Sequence, residues 1–265
     1  MLILKSVKFR GQSFLTHNRT ADKLVEALEL QSGDVVMEIG AGKGILTARL
    51  LQKAKLVIAI EIDKRLVEYL NEKFSQAENL RVISADFLQF DLKDYRKLKI
   101  IGNLPYYIST AIVWKLLDNY GYWDTAVLTT QREFARRVLA AAGSSDYCAL
   151  SVLSEFLCER RRLFDIPASY FKPKPRIVST AFRLKRRGKT LSAPDYEVLK
   201  TVVLAAFSPQ PRKLVINNLT HSLKLSRTEL IRILGSLDLP LNIRPASVNL
   251  NQFIKLSEKL APFIK

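Results

Sequence analysis

A buried strand over residues 34–39 that runs directly into Gly40-Ala41-Gly42-Lys43-Gly44 constrains this chain more than any other feature, because an apolar helix begins just behind it near Ile45. Strand, glycine loop and helix form the entry unit of a nucleotide-cofactor site: where side chains are missing, the backbone can approach the ligand. The third glycine falls one position too early for G-x-G-x-x-G, since Ile45 occupies that place, and this weakens a NAD or FAD reading. Lys43-Gly44 also lacks the long spacing and the Lys-Ser/Thr ending of a Walker loop.

The next strands carry chemistry at their carboxyl ends, where open α/β sheets bind ligands. Residues 56–60 read as a second apolar strand ending in Glu61-Ile62-Asp63, about twenty residues after the loop, where an acid can accept both ribose hydroxyls of an adenosine-containing cofactor. Residues 80–84 form the next strand and end in Ala85-Asp86-Phe87, which places Asp86 to take the adenine amine and Phe87 to pack near the ring. One acid after a strand is commonplace; acids at successive strand ends behind a glycine loop point to a nucleoside site.

A fourth apolar run, Lys99-Ile100-Ile101-Gly102, leads into Asn103-Leu104-Pro105-Tyr106. Pro105 fixes its own φ and disfavours helix at Leu104, leaving the Asn103 side chain and nearby carbonyls free to face a ligand. An amide oxygen beside a flat Tyr106 ring suits an exocyclic amine on a planar base. The competing reading is a strand-to-helix turn in which Asn103 caps the helix that follows.

Around this centre, Gly11-Gln12-Ser13-Phe14-Leu15 precedes a helix expected over 20–30 and is either a lid or a plain N-terminal arm. Helices are expected over 108–117, 131–142 and 147–156, with strands over 125–130, from Arg160 and over 177–184. The 131–142 helix carries Arg132, Arg136 and Arg137 as RNA contacts. Phe171-Lys172-Pro173-Lys174-Pro175-Arg176 is a stiff cationic loop in which Phe171 either stacks on a base or is buried in the core. Residues 183–189, with Lys185, Arg186 and Arg187, read as a basic linker. Beyond it, helical periodicity over 195–207, 212–223, 227–237 and 251–260 gives a second, helical domain. The expected division is 1–187 and 188–265.

Composition narrows the partner. Lys and Arg number 42 against 25 Asp and Glu, a net charge of +17, which favours a polyanion and nucleic acid ahead of membrane. No run approaches membrane-spanning length, and the start lacks a signal-peptide core. Cys148 and Cys158 match neither a zinc knuckle nor a redox pair, so a reduced cytoplasm and no metal are expected.

An adenosine cofactor without a Walker lysine, beside an Asn-x-Pro-aromatic turn, points to methyl transfer from S-adenosylmethionine. A sulfonium methyl is already activated, so neither a metal nor either of the two histidines, His17 and His221, is required. The acceptor is the difficulty: an adenine amine is a poor nucleophile until the Asn103 oxygen and the Leu104 carbonyl hold its hydrogens and Tyr106 aligns the ring. A paired base cannot reach such a pocket, so Tyr106 and Phe171 would repay its lost stacking.

These motifs resemble the rRNA adenine N6,N6-dimethyltransferases, which act on small-subunit rRNA during ribosome assembly. The resemblance runs from Gly11-Gln12-Ser13-Phe14-Leu15 through Glu38-Ile39-Gly40-Ala41-Gly42, Glu61-Ile62-Asp63, Asp86 and Asn103-Leu104-Pro105-Tyr106 to the loop from Phe171 to Pro175. It implies a seven-stranded, Rossmann-like class I methyltransferase domain followed by a small helical domain. It also implies a cofactor site of Gln12, Ser13, Leu15, Gly40, Gly42, Glu61, Asp86, Phe87 and Asn103, and a monomer working on a pre-ribosomal particle. Ser13 stands where the family usually has asparagine, and Tyr147-Cys148-Ala149-Leu150-Ser151 departs from its usual Tyr-Gly-Arg-Leu-Ser. Phe207, Arg212-Lys213 and Asn217-Asn218 match the helical-domain signature more loosely. A large-subunit dimethyltransferase of the macrolide-resistance type shares the core motifs. An RNA-binding assembly factor with dispensable catalysis is a further alternative. DNA adenine or glutamine methylation also uses related Asn-Pro turns.

Overall fold

The computed structural model describes residues 13–188 and 196–264, so Gln12 lies outside the described residues. The chain divides into two compact units, Met1–Ala135 with Glu159–Arg186, and Arg136–Cys158 with Arg187–Lys265.

In the first unit, apolar runs too short for helices and bounded by turn residues become strands, as expected for a parallel sheet covered on both faces. Up to residue 186 the elements in chain order are β1 (Phe14–Leu15), α1 (Asn18–Glu26), β2 (Val35–Ile39), α2 (Thr47–Leu50), β3 (Leu56–Glu61), α3 (Lys64–Lys73), β4 (Leu80–Ser84), β5 (Leu98–Asn103), α4 (Ser109–Asp118), β6 (Trp123–Gln131), α5 (Arg132–Leu139), α6 (Ala149–Leu157), β7 (Cys158–Ile166), β8 (Phe171–Lys172) and β9 (Ser179–Arg186), of which α6 belongs to the second unit. Seven strands form one sheet in the order β4-β3-β2-β5-β6-β9-β7, parallel from β4 to β6, with β9 antiparallel to β6. The chain builds outward from β2 to β4 and then returns to the other side of β2 as β5. Strand order therefore switches beside β2, and the crevice beyond its carboxyl end is the place for a ligand.

A separate two-stranded ribbon decides the rest of the site. β1 pairs antiparallel with β8, Phe14 opposite Lys172 and Leu15 opposite Phe171. His17 extends the junction: its ring stacks on Tyr170 at 3.8 Å, and its Nδ1 accepts from Thr20 N–H to cap α1. Leu15 and Phe171 are both buried in one cluster with Leu24, Val36, Leu50 and Ile101, so the ribbon is anchored by the core of the unit.

In the second unit, α6 packs on α7 (Tyr196–Phe207), followed by α8 (Val215–Leu223), α9 (Arg227–Gly235) and α10 (Leu250–Leu260). Asn218 is buried and its Nδ2 donates to the carbonyls of Ala206 (2.7 Å) and Gln210 (2.9 Å), tying α8 to the end of α7.

Several expectations need correction. Residues 136–158 group with the C-terminal helices instead of falling inside one continuous 1–187 domain, because α6 buries Leu150, Val152 and Leu153. The linker placed at 183–189 begins inside β9, where Lys185 opposes Thr125; its alternation of apolar and basic residues is a strand period. The helix expected from Ile45 is only the four-residue α2. The helix expected over 20–30 ends at Glu26, and α3, capped by the Asp63 carboxylate on Arg65 N–H, was not anticipated.

Candidate active site

Beyond the carboxyl ends of β2, β3, β4 and β5 lies a cavity of about 180 Å³. Its wall includes Ser13, Gly40, Gly42, Glu61, Asp86, Phe87, Asn103, Leu104, Pro105, Tyr106 and Phe171, all singled out from sequence, together with Phe14, Tyr107, Ile108 and Ile112, which were not.

The glycine loop forms one side. Gly40 and Gly42 have φ of +70° and +57°, a region that side-chain-bearing residues avoid. A Cβ on Gly42 would also lie 2.9 Å from the Phe14 ring, so the loop is a cradle that only glycine leaves open. The Lys43 ammonium sits 5.3 Å from the centre of the same ring, and Lys73 Nζ donates to the Lys43 carbonyl at 2.8 Å.

Glu61 is buried, and backbone amides hold its carboxylate. Oε1 accepts from Ile62 and Asp63 N–H at 2.9 and 3.0 Å, and Oε2 accepts from Gly42 N–H at 2.9 Å. A carboxylate has about four lone-pair sites, so about one remains for a ligand hydroxyl, not the pair expected. Asp86 Oδ1 accepts from Leu88 N–H at 2.9 Å, and among the described residues Oδ2 has no partner. Lys115 secures this segment from α4: its Nζ donates to the Leu88 carbonyl at 2.9 Å and lies 5.7 Å from the centre of the Phe87 ring. Burial pushes the Lys115 ammonium below its ordinary range, against the pull of Asp91 and Asp86.

Glu38 lies beneath the loop on β2, fully buried, with Thr47 Oγ1 donating to its Oε2 at 2.6 Å. Burial pushes its carboxyl up to about 8, opposed by the Thr47 hydrogen bond and reinforced by Glu61. At neutral pH the group is a neutral acid.

The opposite side is the Asn103-to-Tyr107 turn. Asn103 Nδ2 donates to the Ser13 carbonyl at 2.9 Å. A carbonyl can only accept, so this bond settles which end of the amide is which and leaves Oδ1 without a partner among the described residues. Leu104 N–H donates to the Thr129 carbonyl at 2.9 Å, while Ile108 N–H and Ser109 Oγ donate to the Pro105 carbonyl at 3.2 and 3.0 Å. The turn is therefore pinned at both ends. Tyr106 is half-buried with its hydroxyl 2.8 Å from Ser179 Oγ, and burial raises its phenol pKa despite that bond. Phe171 borders the cavity but is only 4% exposed: opposite Leu15 in the ribbon, it shares that residue's face and core cluster.

Leu15 is not in the cavity wall. Successive residues of a strand face opposite ways, so Phe14 turns to the glycine loop and Leu15, 5% exposed, turns to the core. Arg132, Arg136, Arg137, Lys172, Lys174, Arg176, Lys185 and Arg187 are exposed, and Arg186 is partly buried. Arg136 Nε pairs with Asp146 at 3.0 Å, and Arg187 Nε donates to the Glu155 carbonyl at 3.2 Å. Among the described residues no His, Cys, Asp and Glu cluster could hold a metal, and no helix is long and apolar enough to cross a membrane.

The family model for Ribosomal RNA adenine dimethylase matches residues 4–246. The chain belongs to the ribosomal RNA adenine dimethylase family. Among its relatives, Ribosomal RNA small subunit methyltransferase A of Malacoplasma penetrans is 39% identical over 80% of this chain and 76% of that protein. The protein of the same name from Halothermothrix orenii is 36% identical over 97% of this chain and 89% of its own length. A dimethyladenosine transferase from Plasmodium falciparum superposes on this chain with a TM-score of 0.82, 27% identity and coverage of 94% of this chain and 98% of that one. The 23S rRNA methyltransferase ErmE gives a TM-score of 0.73, 30% identity and coverage of 94% and 99%. The chain is thus a methyltransferase with the Rossmann-like class I fold.

Proposed function

We propose that the protein transfers methyl groups from S-adenosylmethionine to the N6 amine of adenines near the 3′ end of small-subunit rRNA, two to each amine, during ribosome assembly in the cytoplasm. The observation that carries this reading is the Asn103 amide, whose nitrogen is committed to the Ser13 carbonyl and whose oxygen is therefore left to accept. The names borne by the relatives support the substrate, and the excess of 42 basic over 25 acidic residues suits a phosphate-rich partner.

The residues present fit the cofactor. The glycine cradle is open beside Gly42, one Glu61 lone pair remains for a ribose hydroxyl, and Asp86 Oδ2 can accept from the adenine amine. When bound, S-adenosylmethionine would supply a sulfonium-activated methyl, and the lone pair of the target amine would be its acceptor. Asn103 Oδ1 and the Leu104 carbonyl accept the hydrogens of the amine and so turn its lone pair out of the ring plane. The Tyr106 face orients the ring, with the Ser179 contact holding its hydroxyl in place. Neither amide oxygen is basic enough to keep a proton, so the surplus proton of the amine passes to water. The exposed Arg and Lys side chains hold phosphates without reading sequence.

Nucleoside mass spectrometry of unmethylated small and large subunits, each incubated with the protein and labelled S-adenosylmethionine, tests the reading. Dimethyladenosine is expected in small-subunit rRNA alone and is expected to vanish with Asn103→Ala. Label in large-subunit rRNA alone, or in neither, would overturn it.

A further inference from the structure

Tyr106 and Tyr107 are consecutive, yet their rings have opposite fates. Tyr106 is half-buried, with its hydroxyl 2.8 Å from Ser179 Oγ. Tyr107 lines the same cavity but is 65% exposed, more than any other large hydrophobic side chain among the described residues. A single exposed aromatic is ordinary on a protein surface. Two things set this one apart: its place in the wall of a cavity that takes a base, and the rigidity of the turn that presents it. Both Ile108 N–H and Ser109 Oγ donate to the Pro105 carbonyl across Tyr106 and Tyr107, so the backbone that carries the two rings is fixed at the start of α4.

The nucleic acid has a matching need. When an adenine leaves the strand to enter the cavity, the neighbouring nucleotide stays outside and loses a stacking partner. Phe171 cannot serve that neighbour, because it is 4% exposed and faces the inside. We propose that Tyr107 is a second stacking site, outside the cavity, for the nucleobase flanking the target adenine, while Tyr106 serves the target itself. This rests on the rRNA adenine reading above. The site takes any planar base and prefers purines for their larger face, so it adds affinity for the strand and leaves the cofactor untouched.

The test is a cycle between Tyr107 variants and the RNA. Methyl transfer is measured on unmethylated small subunits whose rRNA is intact, or is abasic at the nucleotide immediately 5′ or immediately 3′ of the methylated adenine. On intact particles Tyr107→Ala is expected to raise KM for RNA about tenfold, as loss of one base stack does, with a smaller change in kcat. Tyr107→Phe keeps the face and is expected to retain wild-type KM. An abasic position on one side should cost the wild type a similar factor and cost Tyr107→Ala nothing more. Losses that multiply on both sides, an unchanged KM in Tyr107→Ala, or a Tyr107→Phe variant as weak as Tyr107→Ala would each overturn the stacking role. If the wild type transfers no methyl to intact particles, the rRNA reading falls and this inference falls with it; losses that multiply on particles that the wild type does methylate remove only the role of Tyr107.

Discussion

Glu61 and Asp86 stand at the ends of the strands that carry them or one turn beyond, and backbone amides within two residues of each hold one of its oxygens. Asn103, across the cavity, is held by Ser13 ninety residues away, and Ser13 is held in turn by a two-residue ribbon that pairs Leu15 with Phe171. The cofactor side is thus local and repeated along one sheet edge, whereas the base side is assembled from three distant parts of the chain. An isolated pairing of two residues per strand has little stability of its own. The base side therefore depends on core packing of Leu15 and Phe171, and damage to the two sides should look different.

The largest effect expected on activity is from Asn103→Ala, which removes both the acceptor for the amine and the tie to Ser13. Methyl transfer should fall roughly 100-fold or more, in line with loss of one group that stabilises a transition state, while cofactor binding measured by calorimetry changes only a few-fold. Equal losses in both would erase the distinction between the sides. Gly42→Ala tests where they touch. Its Cβ would meet the Phe14 ring at 2.9 Å on a backbone of φ +57°, so Phe14 must move and carry β1 with it. Cofactor affinity and transfer should then fall together by roughly 10-fold or more, since left-handed backbone alone costs about 1–2 kcal/mol in a residue with a side chain; a variant with intact transfer would show that the ribbon tolerates movement.

Lys115→Met isolates the adenine end. The Lys115–Leu88 bond and the ring contact to Phe87 hold the Asp86 segment from α4, so cofactor Kd should rise about fivefold to tenfold with kcat unchanged and with Lys115→Arg partly restoring it. A fall in kcat with unaltered Kd would place the lysine on the base side instead. Glu38→Gln should have the smallest effect on activity and a clear one on stability. Below its ordinary value of 4.5 the Glu38 carboxyl is neutral in folded and unfolded chains alike; between there and about 8 only the unfolded chain ionises it, so its contribution to stability is lost progressively as pH rises and levels off above about 8. Glutamine cannot ionise, so the variant should gain on the wild type by about 3–4 kcal/mol between pH 5 and pH 8 in denaturant titrations. A constant difference across that range would mean that Glu38 stays ionised.

The parallel strands of the large sheet were legible because each is a largely apolar run bounded by turn residues, and the bounds of β4 were read to the residue; the end of β9 was not, because its basic residues read as a linker. Glu61, Asp86 and Asn103 were legible for the same reason: each follows such a run directly. β1 and β8 were not, because two residues carry no periodicity, and without their pairing nothing in the sequence distinguishes Phe14, which faces the glycine loop, from Leu15, which faces the core. α6 reads as an ordinary apolar helix, and composition does not say which unit it joins.

The sequence by itself determined an open α/β sheet, a glycine cradle for a nucleoside, acids at successive strand ends and an Asn-Leu-Pro-Tyr turn, because those features follow from spacing of a few residues. Tertiary structure alone decided which way the Asn103 amide points, that Lys115 braces the Asp86 segment, that Phe171 faces inward and that Tyr107 stays in solvent. Each of those depends on a partner or a neighbour brought from elsewhere in the chain, and such distances in sequence leave no local period to read.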